Sequence, residues 1–583
     1  MSALLSVRGL RVRFGDAEVV SDVSFDVAAG ECVGIVGESG SGKSVTARAL
    51  LGLAGRQASV TADELRFDET QILDASAARL RSLRGRDIGY VSQGALVALD
   101  PLRPVGREIS DSLRLHTSST PAQRRARVLE LLADVGVPDP ELRAGQRPDE
   151  LSGGLRQRAV IASAIALGPQ LIIADEPTTA LDSTVQAGIL DLLERLRSEG
   201  AALVLISHDL AVVSRLASRV LVMHEGRIVE SGPSASVLAE PQHPYTRRLI
   251  AAVPTDRPRG TRLGPTPAVP APSPAPATPV PSTATASPAP ATSLNGNSGV
   301  TPVAGRDSAH ARRAEARTPE FPSTPVVVAA GLSRSFGERL AVDDVSFTLE
   351  RGRTLGIVGE SGSGKTTVAR LVLALDRPDS GDVRLLGEPW STATERERRP
   401  LRPRVGAIYQ DALSSFDPRK TVGQIVADAL THGRSQRAGV EVADLLRRVG
   451  LDERVMNRRP ARLSGGQQQR VAIARAIAPA PDLIVCDEPV SSLDVSVQAQ
   501  VLDLLDELQR DLGLSYLFIT HDLGVVRHVS DEVLVMRAGR VVERGATEQV
   551  FGAPQHEYTR ALFASAPRIG GDLDLWPVPS VGS

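Results

Sequence analysis

The sequence predicts an α/β protein made of one domain repeated in tandem, each copy built on a parallel-sheet core with a short antiparallel β layer at its start. Three observations carry this. Two eight-residue loops match G-x-x-x-x-G-K-[ST]: Gly37-Glu38-Ser39-Gly40-Ser41-Gly42-Lys43-Ser44 and Gly359-Glu360-Ser361-Gly362-Ser363-Gly364-Lys365-Thr366. Downstream of each, an apolar run ends in paired carboxylates, Leu171-Ile172-Ile173-Ala174-Asp175-Glu176-Pro177 and Leu483-Ile484-Val485-Cys486-Asp487-Glu488-Pro489. The openings also repeat, with an offset of roughly 310 to 325 residues, too long for a solenoid and right for a duplicated domain.

The first elements of each copy alternate apolar and polar residues, which predicts short antiparallel strands. Gly9-Leu10-Arg11-Val12-Arg13-Phe14-Gly15 answers to Gly331-Leu332-Ser333-Arg334-Ser335-Phe336-Gly337, and Asp22-Val23-Ser24-Phe25 to Asp344-Val345-Ser346-Phe347. A strand (Val33-Gly34-Ile35-Val36; Leu355-Gly356-Ile357-Val358) then leads into each loop. A helix leads out of it, beginning with Val45-Thr46-Ala47 and Thr367-Val368-Ala369. That strand–loop–helix context distinguishes a phosphate cradle from a flexible Gly/Ser loop. Backbone N–H groups turn inward on the phosphates, the lysine adds a point charge, and the Ser44 or Thr366 hydroxyl ligates Mg²⁺. The chain is thus expected to bind a nucleoside triphosphate twice.

Composition narrows the rest. The 583 residues carry 42% apolar and 23% charged side chains, ordinary for a globular protein with real cores, and a net charge of −2 leaves no basic footprint for nucleic acid. The two cysteines, Cys32 and Cys486, lie in apolar strand-like runs and read as core thiols, so neither a disulfide framework nor an iron–sulfur cluster is expected. The start shows no basic region followed by an apolar core, and no run reaches the roughly 18 apolar residues of a membrane helix. Lysine occurs only as Lys43, Lys365 and Lys420, so two of three sit in the loops while arginine supplies the remaining positive charge. The Pro/Ala/Thr/Ser-rich stretch from 255 to 325 has too little apolar bulk to fold and is expected to be a disordered, extended tether. It divides the chain into a first domain, 1–254, and a second, 326–583. The basic patch His310 to Arg317 within it reads as solvated linker.

Further residues gather at the strand ends. Gln93, after Tyr90-Val91-Ser92, and Gln410, after Ala407-Ile408-Tyr409, are placed to touch Mg²⁺ or orient water. Asp175 and Asp487 suit the Mg²⁺ shell, and Glu176 and Glu488 suit polarisation of the attacking water. A third strand in each copy, Ala202-Leu203-Val204-Leu205-Ile206 and Tyr516-Leu517-Phe518-Ile519, runs into His208 or His521, placed to contact a γ-phosphate. Leu151-Ser152-Gly153-Gly154-Leu155-Arg156-Gln157-Arg158 and Leu463-Ser464-Gly465-Gly466-Gln467-Gln468-Gln469-Arg470 each put a serine N-cap and two glycines at a helix N-terminus, an anion site. Two halves with two kinds of phosphate site invite a head-to-tail pairing.

L-S-G-G-x-x-x-R between a phosphate loop and D-E-P resembles the nucleotide-binding domain of ATP-binding cassette proteins, and the likeness covers both halves. It implies tandem P-loop ATPase domains, each with a parallel-sheet core, an antiparallel β subdomain and a helical subdomain, binding ATP and Mg²⁺. By the same resemblance, Gln93 and Gln410 are Q-loops, Ala180-Leu181-Asp182 and Ser492-Leu493-Asp494 D-loops, and His208 and His521 switch histidines. Phe14 and Phe336, each 29 residues before its loop lysine, stand where an aromatic stacks on adenine. Ser152, Gly153 and Gly154 are expected to close over the nucleotide at Lys365, and Ser464, Gly465 and Gly466 over that at Lys43, with hydrolysis at both sites. Gly94 departs from the family's acid, which Asp411 keeps.

The long Q-loops, Gln93 to Pro101 and Gln410 to Pro418, resemble the peptide/nickel importer branch, as does an H-x-Y-T pattern closing each half, His243-Pro244-Tyr245-Thr246 and His556-Glu557-Tyr558-Thr559. Physically the tyrosine could simply close the domain. The resemblance implies two integral-membrane permease subunits as partners, a substrate-binding protein reached through them, no nucleic acid, and a peripheral place on the cytoplasmic face of the cell membrane. Cargo would be dipeptides or oligopeptides ahead of nickel, glutathione or sugars; no residue of this chain touches it. A ribosome-acting twin cassette would carry a charged helical linker, and a DNA-repair relative zinc cysteines, and neither is present in the sequence.

Overall fold

The computed structural model describes residues 3–92, 98–178, 181–255, 257, 259–264, 325–337, 339–431, 439–491 and 493–566. Gln93 and Gly94 therefore lie outside the described residues, as do Ala180, Ser492 and most of the tether.

Each half holds a six-stranded sheet. In the first half the spatial order is Arg227–Pro233, Arg219–His224, Cys32–Val36, Ala202–Ile206, Leu171–Asp175, Ile88–Val91. All neighbours are parallel except the first pair, which is antiparallel. The second half repeats this with Arg540–Ala546, Glu532–Arg537, Thr354–Val358, Ser515–Ile519, Leu483–Asp487 and Val405–Ile408. The strands read as continuous apolar runs because both faces are covered. Alternation survives in where the side chains go. Leu171 and Ile173 join Val33 and Ile35 in a core shared with the antiparallel layer and the loop helix, while Ile172 and Ala174 join Cys32 and Val36 in a core shared with the helical region. Cys32 and Cys486 are buried, and desolvation raises both thiols, Cys32 to about 12, which keeps them inert.

The antiparallel layer pairs Leu5–Phe14 with Ala17–Val27 in the first half, and Val327–Phe336 with Arg339–Leu349 in the second. The helical region comprises Val105–His116, Pro121–Asp134, Pro140–Ala144 and Gly153–Ile165, answered by Val422–Thr431, Gly439–Arg448 and Gly465–Ile477. No helix among the described residues is long and apolar enough to cross a membrane.

The start of the stretch assigned to the tether by composition behaves differently from a tether. Residues 259–264 lie along the helix Val495–Leu512 of the second half. Asp503 accepts the backbone N–H groups of Leu263 (2.8 Å) and Gly264 (2.7 Å). Leu263 is buried in the second half's core, Arg259 pairs with Asp531, and Arg262 with Glu507 at 3.2 Å. His528 Nδ1–H donates to the carbonyl of Arg257 at 3.2 Å. A composition argument sees only that the stretch lacks bulk; one buried leucine, two backbone donors and two arginine ion pairs seat it. With a protease site engineered into the Pro/Ala segment, the cleaved halves should stay together on a sizing column. Adding D503A should weaken their association about tenfold or more, since each bond to a carboxylate contributes about 1.5–3 kcal/mol. Cleaved halves of the D503A chain that associate as tightly as those of the parent would rule out the clamp.

Candidate functional site

Each phosphate loop starts directly after the third strand of its half and ends on the helix that follows, Lys43–Leu50 or Lys365–Val372. Gly42 and Gly364, the N-caps, have φ of 100° and 103°, where a Cβ would also press on the carbonyl oxygen of Val19 or Ala341. Lys43 Nζ donates to the carbonyls of Gly37 (2.6 Å) and Glu38 (2.9 Å); Lys365 Nζ does the same to Gly359 and Glu360, both at 2.8 Å. An ammonium has three donors, so one remains for a ligand. Burial lowers both lysines from their ordinary value, opposed first by the charge of Glu176 or Glu488. Ser39 to Ser41, Val45, Ser361 to Ser363 and Thr367 complete the loops and first helical turns as the sequence places them.

Opposite the loops stand the strand ends. Ser44 Oγ donates to Asp175 at 2.9 Å and Thr366 Oγ1 to Asp487 at 3.3 Å. Burial raises both aspartates, and the neighbouring glutamate adds to it, so a cation beside either carboxylate would be strongly favoured. Hydroxyl and carboxylate together form a hard oxygen pair that fits Mg²⁺. Asp175 receives a second contact, from the Tyr90 hydroxyl at 3.3 Å, which sequence reasoning missed because the second half carries Ala407 there.

Glu176 and Glu488 follow in left-handed backbone, φ 54° and 50°. A non-glycine residue in that region costs roughly 1–2 kcal/mol, and the same strain appears in both halves. It turns each carboxylate toward a histidine: His208 Nδ1 lies 2.6 Å from Glu176 Oε2, and His521 Nδ1 3.1 Å from Glu488 Oε1. Burial acts to lower both histidines, but the hydrogen bond and charge of the partner glutamate outweigh it and leave them raised. Glu488 is correspondingly held down by His521, against its own burial. Gln410 Nε2 donates to Glu488 Oε2 at 3.0 Å, leaving its carbonyl oxygen as the ligand atom. The arrangement can hold a phosphate chain and a cation on one side, and a negatively charged, histidine-braced carboxylate on the other.

The D-loop aspartates of each half reach the phosphate loop of the other. Asp494 accepts from Ser39 N–H (2.8 Å) and Ser39 Oγ (2.5 Å); Asp182 accepts from Ser361 N–H at 3.4 Å, and Thr184 Oγ1 donates to Glu360 at 2.9 Å. A cleft of about 440 Å³ at Lys365 is lined by Thr366, Gln410, Glu488, His521 and Phe336, together with Asp182. Phe336 is half exposed there, and its ring also lies under Arg334 at 5.1 Å; Phe14 ends the matching strand. Ser152 and Ser464 cap their helices as the sequence predicts, accepting from Leu155 N–H and Gln467 N–H, both at 3.4 Å. The paired glycines divide their labour. Gly153 opens on free space, whereas a Cβ on Gly154 or Gly466 would press on Val185 or Val497, a packing role that the motif does not announce. Among the described residues lining the Lys365 cleft, none comes from 151–158.

Fold and site together define a tandem P-loop ATPase whose halves meet at the phosphate loops through Asp182, Thr184 and Asp494. The ABC transporter family profile matches residues 20–179 and 342–491, and the profile of the oligopeptide/dipeptide transporter C-terminal region matches 229–276 and 542–580. The chain is similar over 97% of its length to three kinds of curated protein. The oligopeptide transport ATP-binding protein OppD of Mycobacterium tuberculosis is 43% identical with 99% of its length covered. The peptidoglycan transport ATP-binding protein YejF of Agrobacterium fabrum is 42% identical with 97% covered. The glutathione import ATP-binding protein GsiA of Pectobacterium atrosepticum is 40% identical with 89% covered. The chain belongs to the ABC transporter family, as an ATP-binding, ATP-hydrolysing component carrying two cassettes.

Proposed function

We propose that this chain powers a peptide importer, coupling ATP binding and hydrolysis at two composite sites to uptake of dipeptides or oligopeptides across the cell membrane. The observation that carries the two-site reading is the crossed pair of D-loop contacts, Asp494 on Ser39 and Asp182 on Ser361. The cargo reading is supported by the C-terminal region in both halves and by the names of the relatives. The cassettes span 1–254 and 326–583, joined through 255–325.

In each site the loop, Gly37 to Val45 or Gly359 to Thr367, grips the phosphates, and Phe14 or Phe336 stacks on the base. Ser44, Asp175 and Gln93, or Thr366, Asp487 and Gln410, would hold Mg²⁺, which when bound neutralises charge on the phosphate oxygens. Glu176 and Glu488 take up a proton from the attacking water, and His208 and His521 orient those carboxylates and meet the γ-phosphate. Ser152, Gly153 and Gly154, and Ser464, Gly465 and Gly466, close from the opposite half when ATP draws the halves together. Opening after hydrolysis is passed to two permease subunits seated beside the Q-loops on the cytoplasmic face, with a substrate-binding protein delivering cargo on the far side and no nucleic acid involved.

The test is purification of the tagged full chain from membranes in mild detergent, with its companions identified by mass spectrometry. Two multi-span chains with a peptide-binding lipoprotein are expected. Ribosomal proteins without a multi-span chain would defeat the importer reading.

A further inference from the structure

The H-x-Y-T pattern that closes each half finds a use at the phosphate loop. Tyr245 Oη accepts the backbone N–H of Glu38 at 3.0 Å, and Tyr558 Oη accepts that of Glu360 at 3.2 Å. These are the N–H groups of the very peptide units whose carbonyls, Gly37 and Gly359, hold the loop lysines. One peptide unit in each loop is thus gripped at both ends, by an ammonium on its oxygen and by a phenol on its hydrogen.

The phenol is rigidly mounted. Glu230 accepts the N–H groups of Gln242 (2.7 Å) and His243 (3.0 Å), and His243 Nδ1 caps the next helix by accepting from Tyr245 N–H at 3.2 Å. The second half repeats all three bonds through Glu543 and His556. Tyr245 stacks on His224, ring centroids 3.9 Å apart, and Tyr558 lies under Arg537 at 4.9 Å. Both tyrosines are almost fully buried, and both hydroxyls are neutral, burial having raised them. Gly37 has φ 149°, and a Cβ there would collide with the Met223 carbonyl, on the same strand that supplies His224. On its far side the next residue, Ser39, is held by Asp494 from the other half.

We infer that Tyr245 and Tyr558 are positioning residues for ATP binding, holding the first peptide of each phosphate loop in place as the lysine engages the phosphates. The inference rests on the loops being the ATP sites. It assigns the C-terminal module of each half a direct part in nucleotide affinity. Loss of the hydroxyl frees the peptide to rotate, and the loop then has to be reordered each time nucleotide enters.

The experiment compares the parent full chain with Y245F/Y558F, which keeps both rings and their stacking. ATP affinity is measured by titration calorimetry, and thermal unfolding is followed without nucleotide. Parent-like unfolding with ATP affinity reduced about five- to tenfold is expected. In the K43A/K365A background the tyrosine is the peptide's remaining hold, so the difference should persist. ATP affinity within twofold of the parent would overturn the inference, whatever happens to the melting temperature. A weakening that vanishes in the lysine-free background would overturn it as well. A parent chain that does not bind ATP would overturn both the inference and the site reading beneath it.

Discussion

Replacing Glu176 and Glu488 together with glutamine is expected to lower ATP turnover by about 10²- to 10⁴-fold, the usual contribution of a positioned general base, while leaving ATP bound. Glutamine has the shape of glutamate, so the left-handed backbone at both positions and the packing around it stay as they are. What disappears is the negative charge. Without it neither side chain can accept a proton from water, and His208 and His521 lose the partner that keeps them raised. Phosphate release should stop while nucleotide survives desalting with the protein. Each single variant should leave one composite site running. A double variant that turns over at the parent rate would remove both glutamates from the chemistry.

Removing the loop ammoniums acts one step earlier. K43A/K365A is expected to weaken ATP binding about 10- to 100-fold, since a hydrogen bond to a charged group is worth about 1.5–3 kcal/mol. The direction is secured by what surrounds the lysines. The charges of Glu176, Asp494, Asp175 and Glu38 all act on Lys43, and its loss leaves those carboxylates facing an anionic ligand. K43R/K365R should bind no better than the alanine pair, because a planar fork does not fit where a buried ammonium donates to two adjacent carbonyls. Equilibrium titration of nucleotide reads all three chains. An arginine pair with parent affinity would show that charge alone suffices, and would remove the reason why a chain so sparing with lysine keeps it at both loops.

Much of this was legible in the sequence because its signals are local. A strand, a glycine-bearing turn and a helix N-terminus lie within about twenty residues of one another. The carboxylates at Asp175 and Asp487 sit at the ends of strands whose apolar runs announce burial on both faces. What stayed hidden depends on contacts between distant residues. Nothing near Tyr245 in the chain mentions Glu38, and nothing near Leu263 mentions Asp503. The two glycines of each L-S-G-G motif look alike on paper, and only the valine opposite Gly154 or Gly466 marks one of each pair as a packing position. The left-handed turn at Glu176 is invisible because glutamate rarely adopts it; only the surrounding fold enforces it.

One polypeptide carries both halves, and the clamp of residues 259–264 on the helix Val495–Leu512 holds them close. Two separate ATPase chains must meet by diffusion, so their assembly depends on how much of each the cell makes. In this chain the meeting is intramolecular, with a high effective concentration that dilution cannot reduce. Stoichiometry within the chain is fixed at one of each half. Expression noise therefore alters how many motors a cell has, and leaves the composition of each one unchanged.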